Sequence, residues 1–332
     1  MFTAKFLGDI CTGSSFVLPN FNIEKGLNRI PEKIKSKLKS DLTVGNLECP
    51  LGKNSKLPWP LKSMMMGDPT DAKILRKIGI NALALNNNHI LDHGSDVVRE
   101  TLNSLRENNI LPLGINTKLK YSPKTTVEIR NKIISIVNVC TNIGTLTPVL
   151  HNEQKIPNPS KNADINILLL HWGYEYTKWP SKKQVEMAHD LINKGYDIII
   201  GNHTHSLQPI EKYKNKYIAY SLGDFIFPSR FSTSNTSGVI TINIKNGKID
   251  CSCVSFDKEN MNVKTIKPIS TDFLNRNIPQ NYEMYVKMKT SAFKKYLMFQ
   301  TLKNIVTNPI ITAGWLIYKV NPFCYQKPTK EP

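Results

Sequence analysis

The chain has 332 residues, with 44 Lys and Arg against 26 Asp and Glu, which gives a net charge of +18 at pH 7. Its length and its 40% hydrophobic content exclude a disordered chain, and they allow one large domain with an appendage or two domains. The positive charge favours polyanions such as nucleic acid, anionic lipid surfaces and phosphorylated or polycarboxylate substrates. Lysines scattered over solvated faces would give the same total, so charge alone identifies no partner.

The cysteine pattern and the hydropathy of the chain predict its compartment. The six cysteines show no Cys-x-x-Cys pair and no disulfide-framework spacing, which indicates a reducing environment. The chain opens on a strand-like segment without an apolar leader, and no run approaches the roughly 20 apolar residues that span a bilayer. We therefore expect a cytoplasmic protein, with peripheral contact at the inner face of the membrane as the alternative.

Strands and helices alternate along the first third of the chain. In chain order the pattern predicts a strand at 3–8, a helix at 30–38, a strand at 42–45, a helix at 71–78, a strand at 80–85 and a helix at 95–108. Ser95 is the predicted N-cap of the last helix. The segment 49–69 is rich in Pro, Lys and Met and predicts a long loop, of a length that is usually functional.

The alternation continues to about residue 256 and then loosens. The predicted elements are a hairpin at 127–129 and 133–139 with a turn at Asn131-Lys132, a strand at 165–170, a helix at 183–193, strands at 197–200, 216–222 and 239–244, and a return strand at 249–256 after the Asn246-Gly247 turn. The sequence thus predicts an α/β domain at 1–270. Residues 271–332 form a basic, partly helical C-terminal extension in this interpretation.

The segment 197–205 carries the most informative pattern in the chain. A short β-branched run, typical of a buried parallel strand, ends at Gly201 and is followed by His203 and His205. Ligands of open α/β sheets collect beyond the carboxyl ends of the strands. Two histidines one residue apart can face one metal or each of two neighbouring metals, although a polar loop would show the same pattern.

Polar residues follow the other predicted strands in the same way. They are Asp9 after the first strand, Asn46 and Glu48 after the second, Asn88 and His89 after the third, and His171 after a later strand. If these strands share one sheet edge, their polar side chains converge. Carboxylate, amide and imidazole donors suit a pair of divalent cations such as manganese, iron or zinc, and two such cations lie roughly 3.5–4 Å apart when they share a site.

Six short motifs occur in an order that resembles a known family. They are Gly8-Asp9, Gly45-Asn-Leu-Glu48, Asn87-Asn-His89 with Asp92-x-Gly94, His171-Trp-Gly-x-Glu-Tyr176, Gly201-Asn-His-x-His205 and Tyr220-Ser-Leu-Gly-Asp-Phe225. Over about residues 1–230, and on toward 256, the chain resembles the CapA family of poly-γ-glutamate capsule biosynthesis proteins, which is related to calcineurin-like metallophosphoesterases. The resemblance implies a four-layer α/β/β/α sandwich with a C-terminal helical extension, and a dinuclear metal centre at the strand ends.

The resemblance also implies a role for each matching residue. Asp9 and His205 would hold the first metal, Glu48 would bridge the two metals, and Asn88, His171 and His203 would hold the second. His89 would stabilise the transition state or protonate the leaving oxygen, and Asp92 would orient the His89 ring. Asn46 would be an alternative ligand to Glu48, a group that supports a ligand, or a contact to the substrate.

Three positions depart from the related patterns. Cys11 stands where the phosphoesterases carry a His, Asn46 stands where they carry an Asp, and Asp224 stands where the CapA family carries an Asn. Cys11 is predicted to be a small buried residue in preference to a soft metal ligand.

Further residues are candidates for contacts with substrate, polymer or membrane. Trp172, Tyr174, Glu175 and Tyr176 follow a proposed ligand and line a substrate pocket in this hypothesis, whereas Trp172 as core is the alternative. Lys62 and Met64 to Met66 form either a lip for a polyanion or an ordinary covering loop. The tail, with Trp315, Tyr318 and Phe323 among lysines, either lies on an anionic membrane or packs on the sandwich.

These observations lead to three hypotheses about function. The first is a hydrolase in capsule or cell-envelope polymer synthesis, in which a metal-activated hydroxide attacks a phosphoester or acyl-phosphate-like bond of an anionic polymer or a phosphorylated envelope precursor. The second is a non-catalytic, metal-containing partner in a capsule-synthesis complex that binds an anionic polymer. The third, a nucleic-acid phosphodiesterase, rests on charge alone, because the sequence shows no nucleic-acid module.

Overall fold

The computed structural model describes residues 2–13, 32–53, 55, 65–116, 118–141, 156–227, 236–243, 248–257 and 262–268. Within them two β-sheets stack face to face and helices cover the outer faces, which confirms the four-layer α/β/β/α sandwich. The predicted extension at 271–332, with its aromatic residues, and the loop residues Lys62 and Met64 lie outside the described residues. The predicted domain boundary at residue 270 stays a prediction.

The described strands and helices are as follows. The strands are β1 (Thr3–Ile10), β2 (Leu42–Leu47), β3 (Ala82–Ala84), β4 (Leu111–Ile115), β5 (Tyr121–Ser122), β6 (Lys124–Ile129), β7 (Lys132–Cys140), β8 (Ile165–His171), β9 (Ile198–Asn202), β10 (Ile210–Tyr213), β11 (Lys216–Ala219), β12 (Asp224–Ile226), β13 (Thr236–Asn243), β14 (Lys248–Asp257) and β15 (Asn262–Pro268). The helices are α1 (Glu32–Leu38), α2 (Asp71–Lys77), α3 (Gly94–Glu107) and α4 (Lys182–Asn193). None of these helices is long and apolar enough to cross a membrane.

The first sheet has the strand order β15-β14-β13-β1-β2-β3-β4-β5, and β12 pairs with β1. Strands β1 to β4 run parallel, so their carboxyl ends meet at one edge. The second sheet has the order β10-β11-β9-β8-β7-β6, in which β7, β8, β9 and β11 are parallel. Each sheet therefore has one edge where polar residues that follow the strands collect.

Three apolar layers hold the sandwich together. The central layer lies between the sheets and contains side chains such as Phe6 and Val44 from the first sheet and Ile167 and Ile200 from the second. Helices α2 and α3 bury their apolar faces on the outer side of the first sheet, and α4 does so on the second. The central strands are buried on both faces, which explains why they are continuous apolar runs in the sequence.

The structure corrects several of the predicted local features. The N-cap of α3 is His93, and Ser95 lies one residue inside the helix. The turn of the β6–β7 hairpin is Arg130-Asn131, where both residues have positive φ, and Lys132 already belongs to β7. The sequence analysis also missed five short or irregular strands: β4, β5, β10, β12 and β15.

The largest correction concerns the sheet edge that carries the polar residues. The sequence argument placed five strand ends along one sheet. The structure divides them between two sheets, with β1, β2 and β3 in the first and β8 and β9 in the second. The polar residues still converge, because the two sheets stack with the carboxyl ends of these strands at the same side.

A pair of serine substitutions tests the helix starts. Ser181 is the N-cap of α4, where its hydroxyl accepts from the Gln184 N–H in a complete capping box, whereas the exposed Ser95 caps nothing. We expect Ser181→Ala to lower the free energy of unfolding by about 1 kcal/mol and the matched control Ser95→Ala to stay within about 0.5 kcal/mol of the parent. Urea unfolding measures both. Equal losses for the two variants would contradict the assigned caps.

Candidate metal centre

Strand ends from both sheets bring the candidate ligands together. Asp9 lies in β1, which extends two residues past its predicted end, and Glu48 follows β2 directly. From the second sheet, His171 is the last residue of β8, and His203 follows β9. All four are buried. The side chains that sequence analysis predicted to converge do so in the space between the two stacked sheets.

The backbone after β9 takes a strained path that aims both histidines into this space. His203 and His205 have φ of 94° and 52°, a region that residues other than glycine rarely occupy. The His203 N–H donates to Asp9 Oδ2 at 3.0 Å, which joins the two sheets. Gly201 allows this path, because a Cβ there would lie 2.0 Å from the carbonyl oxygen of Tyr220.

Two groups of side chains have the spacing of metal ligands. Asp9, Glu48 and His205 form one group, and Glu48, His171 and His203 form the other, with the ligand atoms of each group within 4.8 Å of one another. Glu48 belongs to both. Among the described residues, no donor reaches hydrogen-bond distance of either Glu48 carboxylate oxygen, although both oxygens are buried. An orphaned carboxylate shared by two donor groups fits a bridge between two divalent cations.

The electrostatics of the site follow from burial and from the density of charge. Burial raises the pKa of Glu48 well above its ordinary value, and the nearby Asp9 and Asp224 raise it further. Burial also raises the pKa of Asp9 to about 7. Because like charges sit together in a dry site, the carboxylates need compensating positive charge.

The two histidines beside Glu48, His171 and His205, have pKa values shifted in opposite directions. Burial lowers the pKa of His171 well below its usual range, and neighbouring histidines lower it further. Burial disfavours the charged form of His205 as well, but the carboxylates around it, Glu48 and Asp224 foremost, raise its pKa well above the usual value. His171 is therefore ready as a neutral ligand, and His205 offers a nitrogen once a cation replaces its proton.

Two buried amides complete the inner part of the site. Asn88 Oδ1 lies 2.7 Å from His171 Nε2, which places the amide oxygen beside the Glu48–His171–His203 group. Asn46 Nδ2 donates to Asp9 Oδ1 at 2.8 Å and lies 3.3 Å from His171 Nδ1. These contacts favour Asn46 as a group that orients ligands over Asn46 as a substrate contact.

His89 and Asp92 form a pair at the rim of the site. His89 Nδ1 lies 2.7 Å from Asp92 Oδ2, and the His89 side chain keeps 18% of its surface exposed against 3% for Asp92. His89 is close enough for its charge to lower the pKa of His171. The pair therefore combines access to solvent with proximity to the buried ligands.

The candidate pocket residues after His171 separate into two kinds. Trp172 is completely buried, and its indole N–H donates to the Tyr220 carbonyl at 2.9 Å, which favours the core alternative for this residue. Tyr174 is exposed, and Glu175 and Tyr176 are half-buried. Glu175 lies near enough to Glu48 to raise its pKa. Glu175 and Tyr176 thus remain candidates for contact with a substrate.

Cys11 and Asp224 occupy the positions where the sequence departs from related patterns. Cys11 is buried and its thiol donates to the Gly13 carbonyl at 3.3 Å, outside both ligand groups, as expected of a packing residue. Asp224, to which sequence analysis gave no role, lies 2.7 Å from His205 Nδ1. A carboxylate in an otherwise apolar Leu222-to-Phe227 segment was the signal that could have identified it.

Comparison with known proteins finds relatives along most of the chain. The family model described as bacterial capsule synthesis protein PGA_cap matches residues 3–229. The chain is 28% identical to the PGA biosynthesis protein CapA of Bacillus subtilis over 263 residues, which are 73% of this chain and 68% of that protein. It is 26% identical to the capsule biosynthesis protein CapA of Bacillus anthracis over 265 residues, 73% and 64% of the two chains.

A more distant relative and one solved structure extend the comparison. A probable polyglutamine synthesis accessory protein of Mycobacterium tuberculosis is 26% identical over 182 residues, 48% of each chain. The chain therefore spans between about half and about two thirds of the length of these relatives. The crystal structure of a novel phosphatase from Mycoplasma pneumoniae matches with a TM-score of 0.44 and 15% identity, covering 83% of this chain and 97% of that one.

The shared position of Glu48 predicts a characteristic pattern of metal content. We expect the purified chain to hold two equivalents of Mn²⁺ or Zn²⁺, His203→Ala and His205→Ala to hold one each, and Glu48→Ala to hold neither, because only Glu48 belongs to both groups. Elemental analysis after dialysis measures this pattern. His189→Ala is the control, since His189 pairs with Glu211 away from both ligand groups and its loss should leave both cations in place. A Glu48→Ala variant that kept two equivalents would refute the shared bridge.

Proposed function

Because the chain belongs to the bacterial capsule synthesis protein family, we propose that it acts in the synthesis of a capsule or cell-envelope polymer as a metal-dependent, phosphoesterase-type hydrolase. The observation that carries this proposal is the buried Glu48 carboxylate shared by two groups of oxygen and imidazole donors. A site for two adjacent cations suits displacement at phosphorus or at an acyl phosphate, because both the attacking and the leaving oxygen need stabilisation.

The donor set limits the cations that the site would take. Carboxylate, amide and imidazole ligands without thiolate suit manganese, iron or zinc. Asp9, Glu48 and His205 would hold one cation, and Glu48, His171, His203 and the Asn88 oxygen would hold the other. When bound, such a pair supplies Lewis acidity and a water molecule of lowered pKa.

His89 is the residue that we assign to proton transfer. With Nδ1 held by Asp92, the ring keeps a defined tautomer, and Nε2 is the nitrogen that would give a proton to the leaving oxygen or stabilise its charge. Asp92 acts through His89 and fixes the orientation of the ring. The remaining exposure of His89 is consistent with contact to a substrate that enters from solvent.

The rim and the overall charge support an anionic substrate. Tyr174, Glu175 and Tyr176 follow the candidate ligand His171 in the sequence and are open to solvent to different degrees, and Tyr176 and Glu175 lie near His205 and Glu48. A chain with a net charge of +18 attracts polyanions. We propose that the substrate is an anionic polymer or a phosphorylated envelope precursor, handled at the cytoplasmic side and in peripheral contact with the membrane.

A second candidate function is a non-catalytic, metal-containing component of a polymer-assembly complex. It is favoured by Cys11, which places no ligand or proton donor in the site where a catalytic phosphoesterase would benefit from one. A relative described as an accessory protein of polyglutamine synthesis is compatible with this candidate. Under this proposal the cations hold the two sheets together and the basic surface binds the polymer.

A turnover measurement distinguishes the two candidates. We expect the Mn²⁺-loaded chain to hydrolyse p-nitrophenyl phosphate or its diester, and His89→Ala to reduce turnover by about 10²- to 10⁴-fold without loss of bound metal. The reduction follows from removal of the proton donor while both ligand groups stay intact.

The controls for this measurement are a chelator and His189→Ala. Chelator should abolish turnover, and His189→Ala should keep it. Metal-loaded protein that binds poly-γ-glutamate in a salt-dependent manner but turns over neither ester would exclude the hydrolase and support the assembly component.

A further inference from the structure

We propose that Asp224 is a positioning residue that holds the His205 ring so that Nε2 faces Glu48 and the cation. This inference rests on the proposed metal centre and adds to it a residue outside both ligand groups. Asp224 is 6% exposed and starts the three-residue strand β12, which pairs in parallel with β1.

The sheet register places Asp224 beside the ligand Asp9. Asp9 pairs with Asn46 in β2 on one side and with Asp224 in β12 on the other. An amide thus donates to Asp9 from one side, and a second carboxylate lies on the other side. Asn46 is neutral and contacts His171, whereas Asp224 is a carboxylate and contacts His205.

The contact between Asp224 and His205 determines which ring nitrogen is available. Asp224 Oδ1 lies 2.7 Å from His205 Nδ1, whereas His205 Nε2 lies 3.7 Å from Glu48 Oε1. A ring that donates Nδ1–H to a carboxylate keeps the lone pair on Nε2, is held in one orientation and is a stronger base. Asp224, His205 and a bound cation would therefore form a carboxylate–histidine–metal triad in which Asp224 is the outer member.

Aromatic side chains reinforce the same orientation. The Tyr176 ring centroid lies 5.5 Å from that of His205, and the Phe227 centroid lies 4.6 Å from it. Rotation of the imidazole to bring Nδ1 toward Glu48 would break the hydrogen bond to Asp224 against these packed rings. The orientation is thus fixed by one strong polar contact and by packing.

The second oxygen of Asp224 gives independent support for a functional role. Asp224 Oδ2 is buried, and no described residue donates a hydrogen bond to it. A buried carboxylate with one unsatisfied oxygen is costly to fold, so its retention calls for compensation by nearby positive charge. A cation held by Asp9, Glu48 and His205 would supply that charge.

The test compares metal affinity in variants that separate charge from position. Asp224→Ala, which removes the acceptor of the Nδ1–H bond, should weaken the binding of Zn²⁺ and Mn²⁺ by about 10- to 100-fold in calorimetric titrations of the full chain. Asp224→Asn removes the charge but keeps an acceptor oxygen, and it should lose less affinity than Asp224→Ala. Asp190→Asn, which removes one carboxylate from the exposed face of α4, should bind as the parent does.

NMR spectroscopy reports the protonation and the coordination of the His205 ring nitrogens directly. In the Zn²⁺-loaded parent, ¹⁵N spectra of the histidine rings should show His205 with a protonated, hydrogen-bonded Nδ1 and a coordinated Nε2. In Zn²⁺-loaded Asp224→Ala the protected Nδ1–H signal should disappear. Circular dichroism verifies that the variants fold, and Asp224→Leu, which is similar in size and also lacks the acceptor, keeps the test valid if the alanine variant does not.

The results of these experiments distinguish failure of the positioning role from failure of the metal centre. Parent protein that binds two cations while Asp224→Ala binds as tightly, with an unchanged Nδ1–H signal, would overturn the positioning role and leave the metal centre standing. A parent that binds no cation would overturn both this inference and the proposed function.

Discussion

A buried carboxylate without hydrogen-bond donors is the constraint on which the site depends. Glu48 lies where the two sheets meet, with both oxygens shielded from solvent and unsatisfied by any described residue. Burial of that charge is unfavourable unless positive charge lies beside it. The histidines supply part of this charge, but burial favours the neutral form of His171. The geometry around Glu48 therefore makes sense as a cation site and not as a stabilising ion-pair network.

The site requires a fixed alignment of the two sheets. Asp9 belongs to the first sheet, yet its Oδ2 accepts from the His203 backbone of the second at 3.0 Å. Farther along the same edge, the Asn86 N–H and amide donate to the side chain and backbone of Asn138 at 2.9 and 3.1 Å. These polar contacts fix the position of one sheet relative to the other. The apolar central layer does not fix it, because hydrophobic packing is non-directional. Ligands from separate sheets can then share one centre.

Much of the site could be predicted from sequence because several buried strands have a polar residue at or just beyond their carboxyl end. Asp9, Glu48 and His171 follow apolar runs, and that contrast is visible without a structure. The division into two sheets was not visible, since a strand buried on both faces has the same pattern in either arrangement. Asp224 was missed because β12 has three residues, too few for a periodic signal, and its contact to His205 spans 19 positions of the chain.

The chain carries a net positive charge, whereas the candidate site is rich in carboxyl groups, so bound cations would change how the site receives an anionic group. The chain as a whole carries +18, so a polyanion is drawn toward it. The buried site contributes the carboxylates of Asp9, Glu48 and Asp224, and Glu175 lies close by. Without cations, burial raises the pKa of Glu48, and that of Asp9 to about 7, and so favours their neutral forms, which leaves the site without the strong positive charge that an anionic group needs. Bound cations would supply that charge in a site of low dielectric, so an anionic group would gain affinity for the site once the metals are bound.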